Sequence, residues 1–119
     1  MTEDRMSDCL FCKIANSTIQ SDLVYENENI IAFNDINPQA PTHVLVIPKQ
    51  HISTLNDLTA ADELVVGSLV RCAATIAASC GHAENGYRTV FNCNRAAGQT
   101  VFHIHLHLLA GRQLDWPPG

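Results

Sequence analysis

The chain has 119 residues, of which 46% are hydrophobic, and 7 Lys and Arg against 12 Asp and Glu give a formal net charge of -5. This length predicts one domain over 1–119 with a buried core, and the acidic balance without a basic stripe argues against nucleic acid as a partner. No apolar run approaches the ~20 residues that span a bilayer, and the N-terminus is polar. We therefore expect a cytoplasmic protein with no membrane association.

The elements predicted in chain order are a short helix, a hairpin, a third strand, a long helix and two further strands. After a polar tail at 1–7, Ser7 and Asp8 can cap a helix over 9–16. The predicted strands cover 22–26, 30–35, 42–47, 87–92 and 101–109. Because hairpin connections dominate over βαβ alternation, the pattern predicts an α+β domain with a mainly antiparallel sheet.

The long helix is predicted to run from Thr59 to about Ser79. Thr59 and Asp62 resemble a capping box, and Gly81 suits the end of the helix. Its apolar face recurs at three- and four-residue steps and comprises Val65, Leu69, Cys72, Ala73, Ile76 and Cys80. Cys72 and Cys80 are interpreted as small buried hydrophobic side chains within this face.

Three of the six histidines, His103, His105 and His107, alternate with apolar residues in the segment HIHLHLL. In a strand, alternate side chains point to opposite faces, so these histidines would share one face while Ile104, Leu106 and Leu108 enter the core. Successive histidines would lie about 6.6 Å apart, a spacing that can surround one phosphate-sized group. An exposed polar strand face that happens to use histidine is the simpler alternative.

Two chemistries suit such a histidine row. A central imidazole can attack phosphorus while its neighbours stabilise charge on the phosphate oxygens. Alternatively, histidines at this spacing can bind a catalytic zinc with an open position for water. The adjacent Gly98, Gln99 and Thr100 offer backbone N–H groups and a hydroxyl, which favour phosphoryl chemistry.

The sequence resembles a known family. GQTVFHIHLHLL is similar to the His-x-His-x-His signature of the histidine triad (HIT) superfamily, and DCLFCKI, AFNDINPQAPTHVLVIPKQHI and GRQLDWPPG extend the match over most of the chain. These flanks resemble the Hint branch, the purine nucleoside phosphoramidases. The resemblance implies a HIT-like fold with one long and one short helix. It also implies a homodimer whose five-stranded sheets join into one larger sheet, with the long helix at the interface and the tail at 110–119 near the partner subunit's site.

The resemblance also implies the reaction and its residues. His105 would attack the α-phosphorus of a purine nucleoside monophosphate derivative, and water would then release the nucleoside monophosphate. The other implied catalytic residues are His103, His107, His43 and Thr100. The implied nucleotide-binding residues are Asp35, Ile36, Phe33, Leu10, Asn92, Gly98, Gln99, Val101 and Trp116. Core packing is the alternative for the apolar ones.

The odd number of five cysteines does not suit a fully paired disulfide framework, so reduced thiols or a metal are expected. Cys9-x-x-Cys12 alone is weak evidence, because a redox motif would look the same. By resemblance to several HIT relatives, Cys9, Cys12, His51 and His103 would hold a structural zinc, and two thiolates with two imidazoles form a closed tetrahedral set. No organic cofactor is expected.

Three other functions remain open. The chain could be a purine-nucleotide-binding interaction protein with incidental catalysis, a dinucleoside polyphosphate hydrolase, or a zinc hydrolase that uses the triad as ligands. Two departures from the phosphoramidase pattern bear on leaving-group chemistry: Thr100 stands where Ser is common, and Asp115 precedes Trp116 where eukaryotic relatives often have His.

Overall fold

A five-stranded antiparallel sheet carries the long helix on one face and the short helix on the other. The computed structural model describes residues 8–119, so the predicted polar tail and Ser7 lie outside the described residues. The helices and strands are α1 (Leu10–Ala15), β1 (Leu23–Glu26), β2 (Ile30–Asn34), β3 (Thr42–Pro48), α2 (Glu63–Ser79), β4 (Arg88–Phe91) and β5 (Leu106–Ala110). Within 8–119, no helix is long and apolar enough to cross a membrane.

The strand order is β1-β2-β3-β5-β4, with every neighbouring pair antiparallel. This confirms the predicted α+β class with one long and one short helix. β3 and β5 are interior strands, each paired with a neighbouring strand along both of its edges. β1 and β4 form the two edges.

The histidine segment differs from the prediction, because β5 begins only at Leu106 and the predicted strand 101–109 is too long at its start. The β3–β5 register pairs Val46 with Leu106, and its continuation would place Pro48 opposite Ile104. Proline has no N–H to donate to such a ladder. The N–H of Ile104 instead donates to the carbonyl oxygen of Ile52 at 2.7 Å. His103 and His105 therefore precede the strand, and only His107 belongs to it.

The sheet separates two hydrophobic clusters. One lies between the sheet and α2 and includes Ile104, Leu106 and Leu108, as the alternation predicted. The other lies against α1 and includes Phe11 and Phe33. Because the apolar side chains of the histidine segment enter the first cluster, the histidines are turned to the α1 side.

The helix α2 begins at Glu63, four residues after the predicted start. The N–H and the hydroxyl of Thr59 donate to the Asp62 carboxylate at 2.9 and 3.3 Å, which caps a 3₁₀ turn at Ala60–Asp62 before the helix. Gly81, with a φ of 84°, ends the helix as predicted. Cys72 packs against the core, but Cys80 follows the last helical residue and is exposed, so its predicted burial is wrong.

Candidate active site and metal centre

Four histidines lie on the α1 side of the sheet, where β3 and β5 run side by side. Nε2 of His43, on β3, is 2.9 Å from Nδ1 of His107, on β5. The rings of His105 and His107 have centroids 4.9 Å apart. His103 lies fully buried on the far side of His105, toward α1. The triad therefore shares one side of the sheet but is divided between two neighbourhoods.

Backbone contacts determine which nitrogen of each ring carries the proton. The N–H of Gln39 donates to Nδ1 of His43 at 3.0 Å, so the hydrogen of neutral His43 sits on Nε2. That N–H can donate to Nδ1 of His107, which leaves the hydrogen of neutral His107 on its own Nε2. A relay of N–H groups thus runs from the Gln39 backbone through two imidazoles.

His105 is held in the opposite tautomer. Its Nδ1–H donates to the backbone carbonyl oxygen of His103 at 2.8 Å, so Nε2 keeps its lone pair. The ring of Phe11 contacts that of His105 edge to face, with centroids 5.0 Å apart and an interplanar angle of 89°. A neutral imidazole oriented in this way presents Nε2 as a nucleophile.

Burial keeps the three rings neutral near pH 7. Desolvation lowers the pKa of His43 and of His105, although Asp35 raises both and the hydrogen bond to the His103 backbone also raises that of His105. For His107, burial, followed by the neighbouring His105 and His43, lowers the pKa to about 4, and Asp35 only partly opposes this. The site is therefore supplied with uncharged donors and acceptors.

A cavity of about 410 Å³ opens beside His105 and His107. Besides these two histidines, six other predicted residues line it: Leu10, Phe33, Asp35, Ile36, Thr100 and Val101. Ile36 is 99% exposed, which excludes core packing for this side chain, whereas Phe33 is buried and forms the floor of the cavity as part of the core. Phe11 also lines the cavity. Such concave, mostly apolar walls with a few polar groups are typical of small-molecule sites.

Four of the predicted nucleotide-binding residues, Asn92, Gly98, Gln99 and Trp116, are not among the described residues that line the cavity. Gln99 is buried, and its side chain bonds the N–H of Asn94 and the carbonyl oxygens of Ser53 and Val101. The N–H groups of Gly98 and Gln99, expected to face phosphate, donate instead to the carbonyl oxygens of Arg95 and Asn94. Both residues thus hold the loop that presents Thr100 and Val101.

The C-terminal tail is bonded to β4. A guanidinium N–H of Arg88 donates to the carbonyl oxygen of Asp115 at 2.8 Å and more weakly to that of Leu114 at 3.4 Å. Trp116 is 82% exposed. An indole so exposed in one chain is available to a second surface, so a role for Trp116 beside the site of a partner subunit stays a prediction.

The second neighbourhood unites the four predicted metal ligands. The sulfur and Nδ1 atoms of Cys9, Cys12, His51 and His103 all lie within 4.8 Å of one another. Nδ1 of His103 is 3.3 Å from Sγ of Cys9 and 3.5 Å from Sγ of Cys12, and Nδ1 of His51 is 3.1 Å from Sγ of Cys12. Cys9 is the N-cap residue of α1 and Cys12 lies within the helix, while His51 follows β3 and His103 precedes β5.

The outer contacts of these ligands fit zinc. The Nε2–H of His103 donates to the carbonyl oxygen of Pro48 at 2.7 Å, and Nε2 of His51 lies 3.2 Å from the Ser53 hydroxyl. Each ring therefore turns Nδ1 to the cluster while its other nitrogen is hydrogen-bonded, the usual arrangement of metal-binding histidines. Two thiols and two such imidazoles supply a complete tetrahedral donor set.

Asp35, His43 and His107 also place donor atoms within 4.8 Å of one another. Their hydrogen bonds argue against a metal here. Coordination through Nε2 of His43 would move its hydrogen to Nδ1, where it would meet the N–H of Gln39. This cluster is better suited to hydrogen bonding than to coordination.

Sequence reasoning missed two contributors. Phe11 contacts both His103 and His105 from between the two cysteines, and a lone aromatic residue in a short helix gives no signal of this contact. Gln39 acts through its backbone N–H. No pattern of side chains reveals a backbone contact.

Comparisons with known proteins agree with this geometry. Residues 8–114 match the family described as scavenger mRNA decapping enzyme C-term binding. The chain is 50% identical over 107 residues to a purine nucleoside phosphoramidase of Escherichia coli K12, covering 90% of each chain. A HIT family hydrolase from Legionella pneumophila superposes with a TM-score of 0.93 and 54% identity, covering 94% of this chain and 100% of that one. A histidine triad protein from Clostridium difficile superposes with a TM-score of 0.89 and 43% sequence identity, and the match covers 95% of this chain and 97% of that one.

Proposed function

The chain belongs to the histidine triad family, and on this premise we propose that it hydrolyses the P–N bond of purine nucleoside 5′-phosphoramidates. The observation that carries this proposal is the tautomer of His105. Because its Nδ1–H is held by the His103 carbonyl oxygen, Nε2 is the unprotonated atom beside the cavity. The similarity to a phosphoramidase over most of both chains supports the same reaction.

The reaction proceeds in two displacements. Nε2 of His105 forms a bond to the α-phosphorus as the P–N bond breaks, and the amine leaves with a proton. Water then attacks the phosphorus of the nucleotidyl-histidine, the P–Nε2 bond breaks, and the nucleoside monophosphate is released. Breaking the P–Nε2 bond returns His105 to its neutral form, and the proton that the attacking water gives up restores the group that protonated the amine.

In this proposal His107 stabilises the phosphate oxygens, and His43 orients the His107 ring through the relay. The relay leaves an N–H on Nε2 of His107, which lies beside His105 at the cavity. A preorganised donor aimed at developing negative charge is among the strongest catalytic contributions. Thr100 lines the cavity, and we assign to its hydroxyl the proton that the departing amine requires.

The nucleoside would occupy the apolar part of the cavity. Leu10, Phe33 and Ile36 present apolar surface to a base, and the Asp35 carboxylate at the same wall can accept from the ribose hydroxyls. Oδ1 of Asp35 already accepts from the N–H of Asn37 at 2.8 Å, which fixes the orientation of the carboxylate. His103 supports catalysis indirectly, through its carbonyl oxygen.

Charge argues against a dinucleoside polyphosphate as substrate. Among the described residues that line the cavity, two carry a carboxylate, Asp22 and Asp35, and none is Lys or Arg. A polyphosphate chain brings several negative charges that would meet no cation here. A single phosphoryl group with an amine leaving group requires no such neutralisation.

The Cys9, Cys12, His51 and His103 cluster is proposed to hold a structural zinc. Bound there, zinc would supply a cross-link between α1 and the segments that flank the sheet, with no open position for catalytic water. His103 lies in the cluster, whereas His105 and His107 line the cavity. This division argues against a zinc hydrolase in which the three triad histidines bind one catalytic zinc. All five cysteines lie within the described residues, and none of them forms a disulfide. Reduced thiols are consistent with the proposed cytoplasmic location.

A homodimer is part of the proposal, and β4 is the edge through which two sheets would join. β4 pairs with β5 on one side only within the described sheet. Helix α2, which packs on β3 and β5, leaves Val70 47% exposed, and we assign this apolar side chain to the proposed interface. Trp116 would then lie near the partner subunit's site.

Replacement of His105 tests the reaction. His105→Asn should lower hydrolysis of adenosine 5′-phosphoramidate by at least ~10³-fold while adenosine monophosphate still binds, because the cavity walls remain. His82→Asn, at the end of α2 and outside the site, is the matched control. Wild-type turnover by His105→Asn would refute the mechanism, and nucleotide binding without any turnover by the native chain would favour the interaction protein.

A further inference from the structure

The turn that follows β5 is pressed against the loop that precedes β3. Gly111 has a φ of 97°, and a Cβ placed on it would lie 2.9 Å from Cβ of Pro41. Only glycine fits there, because both the backbone conformation and the space exclude a side chain. The turn therefore brings Arg112 against the loop at 35–41 at a defined position.

The side chain of Arg112 contacts the backbone of this loop. Its Nε–H donates to the carbonyl oxygen of Gln39 at 2.9 Å, and its Nη1–H donates to that of Gln113, also at 2.9 Å. Gln39 is the residue whose N–H donates to Nδ1 of His43. One residue of the loop thus connects the C-terminal turn to a histidine of the site.

We propose that Arg112 is a positioning residue for the reaction, because it holds Gln39 where its N–H maintains the Nε2–H tautomer of His43. This inference rests on the proposed function for its catalytic consequence. Arg112 lines no part of the described cavity and acts only through Gln39.

The two ends of the loop are fixed, by the N–H of Asp35 on the carbonyl oxygen of His43 at 2.9 Å and by Pro41 against Gly111, whereas its middle is exposed. Gln39 is exposed, Ile36 is almost fully exposed, and the buried residue of the loop is Ala40. Its internal hydrogen bonds join the Gln39 amide to the Asn37 carbonyl oxygen and the Asn37 N–H to Asp35. These bonds hold the loop to itself, whereas the Arg112 bond holds it to the end of the central strand β5.

A change of tautomer would break the relay. With its hydrogen on Nδ1, His43 would turn a lone pair on Nε2 toward the lone pair on Nδ1 of His107, 2.9 Å away. The groups that face His43 are Asp35, with Oδ2 3.4 Å from Nε2, and the ring of His107 on β5. The Asp35 carboxylate would likewise lose the N–H that it faces.

The test combines kinetics with NMR of protein labelled with ¹⁵N at histidine, recorded without substrate near pH 7. Arg112→Ala should lower kcat about 10- to 100-fold with little change in KM, because a displaced catalytic group costs rate more than binding. The His43 ring nitrogens, assigned by comparison with His43→Gln, should change from one tautomer to a mixture. Arg112→Lys, which can still donate one bond to Gln39, should recover most of both properties.

Arg88→Ala is the matched control, because it releases the tail from β4 without removing the bond to Gln39. It should leave the His43 tautomer unchanged. An unchanged His43 tautomer in folded Arg112→Ala, or the same change in Arg88→Ala, would overturn the proposal. If Arg112→Ala does not fold, Arg112→Gln replaces it, and its spectra should show the same change of the His43 ring nitrogens to a mixture of tautomers. Failure of the native chain to cleave phosphoramidates would refute the proposed function and leave the NMR test in force.

Discussion

The backbone carbonyl oxygen of His103 accepts the Nδ1–H of His105 at 2.8 Å, while Nδ1 of His103 lies 3.3 Å from Sγ of Cys9. One residue therefore belongs to the candidate metal cluster through its ring and orients the proposed nucleophile through its backbone. Phe11, between the two cysteines, packs against both rings. Order in the metal cluster and orientation of His105 are linked by this geometry.

The purified chain should contain about one zinc, and Cys12→Ser should lose it, because the replacement removes a thiolate from a four-ligand set. At a free zinc concentration 100-fold above Kd, binding stabilises by about 2.7 kcal/mol, so Tm should fall by roughly 10 °C. Metal analysis and thermal unfolding measure both. Cys80→Ser, an exposed cysteine, should keep zinc and Tm. Full zinc content in Cys12→Ser would contradict the assignment.

The free energy of unfolding should rise with pH between about 4 and 6.5. Burial and the neighbouring His105 and His43 lower the pKa of His107 to about 4, whereas the unfolded chain takes up this proton near pH 6.5. Within that window the unfolded state binds more protons than the folded state. The contribution of His107 to the free energy of unfolding is therefore fully present above pH 6.5 and is lost as pH falls toward 4. The slope per proton is at most about 1.4 kcal/mol per pH unit, and less for a partly exposed ring.

Denaturant unfolding at several pH values between 4 and 6.5 measures this slope. His107→Gln should flatten it, because the contribution of this ring is removed, while His82→Gln should retain it. The difference between each variant and the native chain separates His107 from the metal ligands, which also bind protons at low pH. A slope that His107→Gln does not alter would show that this ring is not its source.

Asp35→Asn should weaken nucleotide binding about 10- to 100-fold, because a hydrogen bond to a charged group contributes about 1.5–3 kcal/mol. The new amide would also bring a donor to the Nε2–H of His43, which faces Oδ2 at 3.4 Å. Calorimetry with adenosine monophosphate gives Kd, and steady-state kinetics give KM. Glu84→Gln, an exposed acidic residue outside the site, serves as control. Equal Kd values for Asp35→Asn and the native chain would remove Asp35 from the ribose site.

The proposed dimer should dissociate when a charge enters its interface. Val70→Asp places a carboxylate on the exposed apolar face of α2, and burying an unpaired charge is costly, so light scattering should report the mass of one chain. Thr75→Asp lies about 140° further round the helix and should remain dimeric. A native chain of monomeric mass, or a Val70→Asp dimer, would refute this interface.

Several features follow from local pattern alone. The alternation at 103–108 predicted that Ile104, Leu106 and Leu108 enter the core and that the histidines share one side, and both hold although His103 and His105 precede the strand. The long helix and the hairpin were predicted to within a few residues. The C-x-x-C pair and the two distant histidines were brought together in the cluster that the resemblance implied.

The amino-acid sequence by itself determined which faces are apolar, which residues could bind or react, and the family to which they belong, because periodicity and residue chemistry are local properties. Tertiary structure alone decided that the triad is divided between a candidate metal cluster and a cavity. It also decided which nitrogen of each ring holds a proton. Those outcomes depend on carbonyl and N–H groups of His103, Pro48 and Gln39, and every residue type other than proline carries the same backbone groups, so only their placement in space gives them a role.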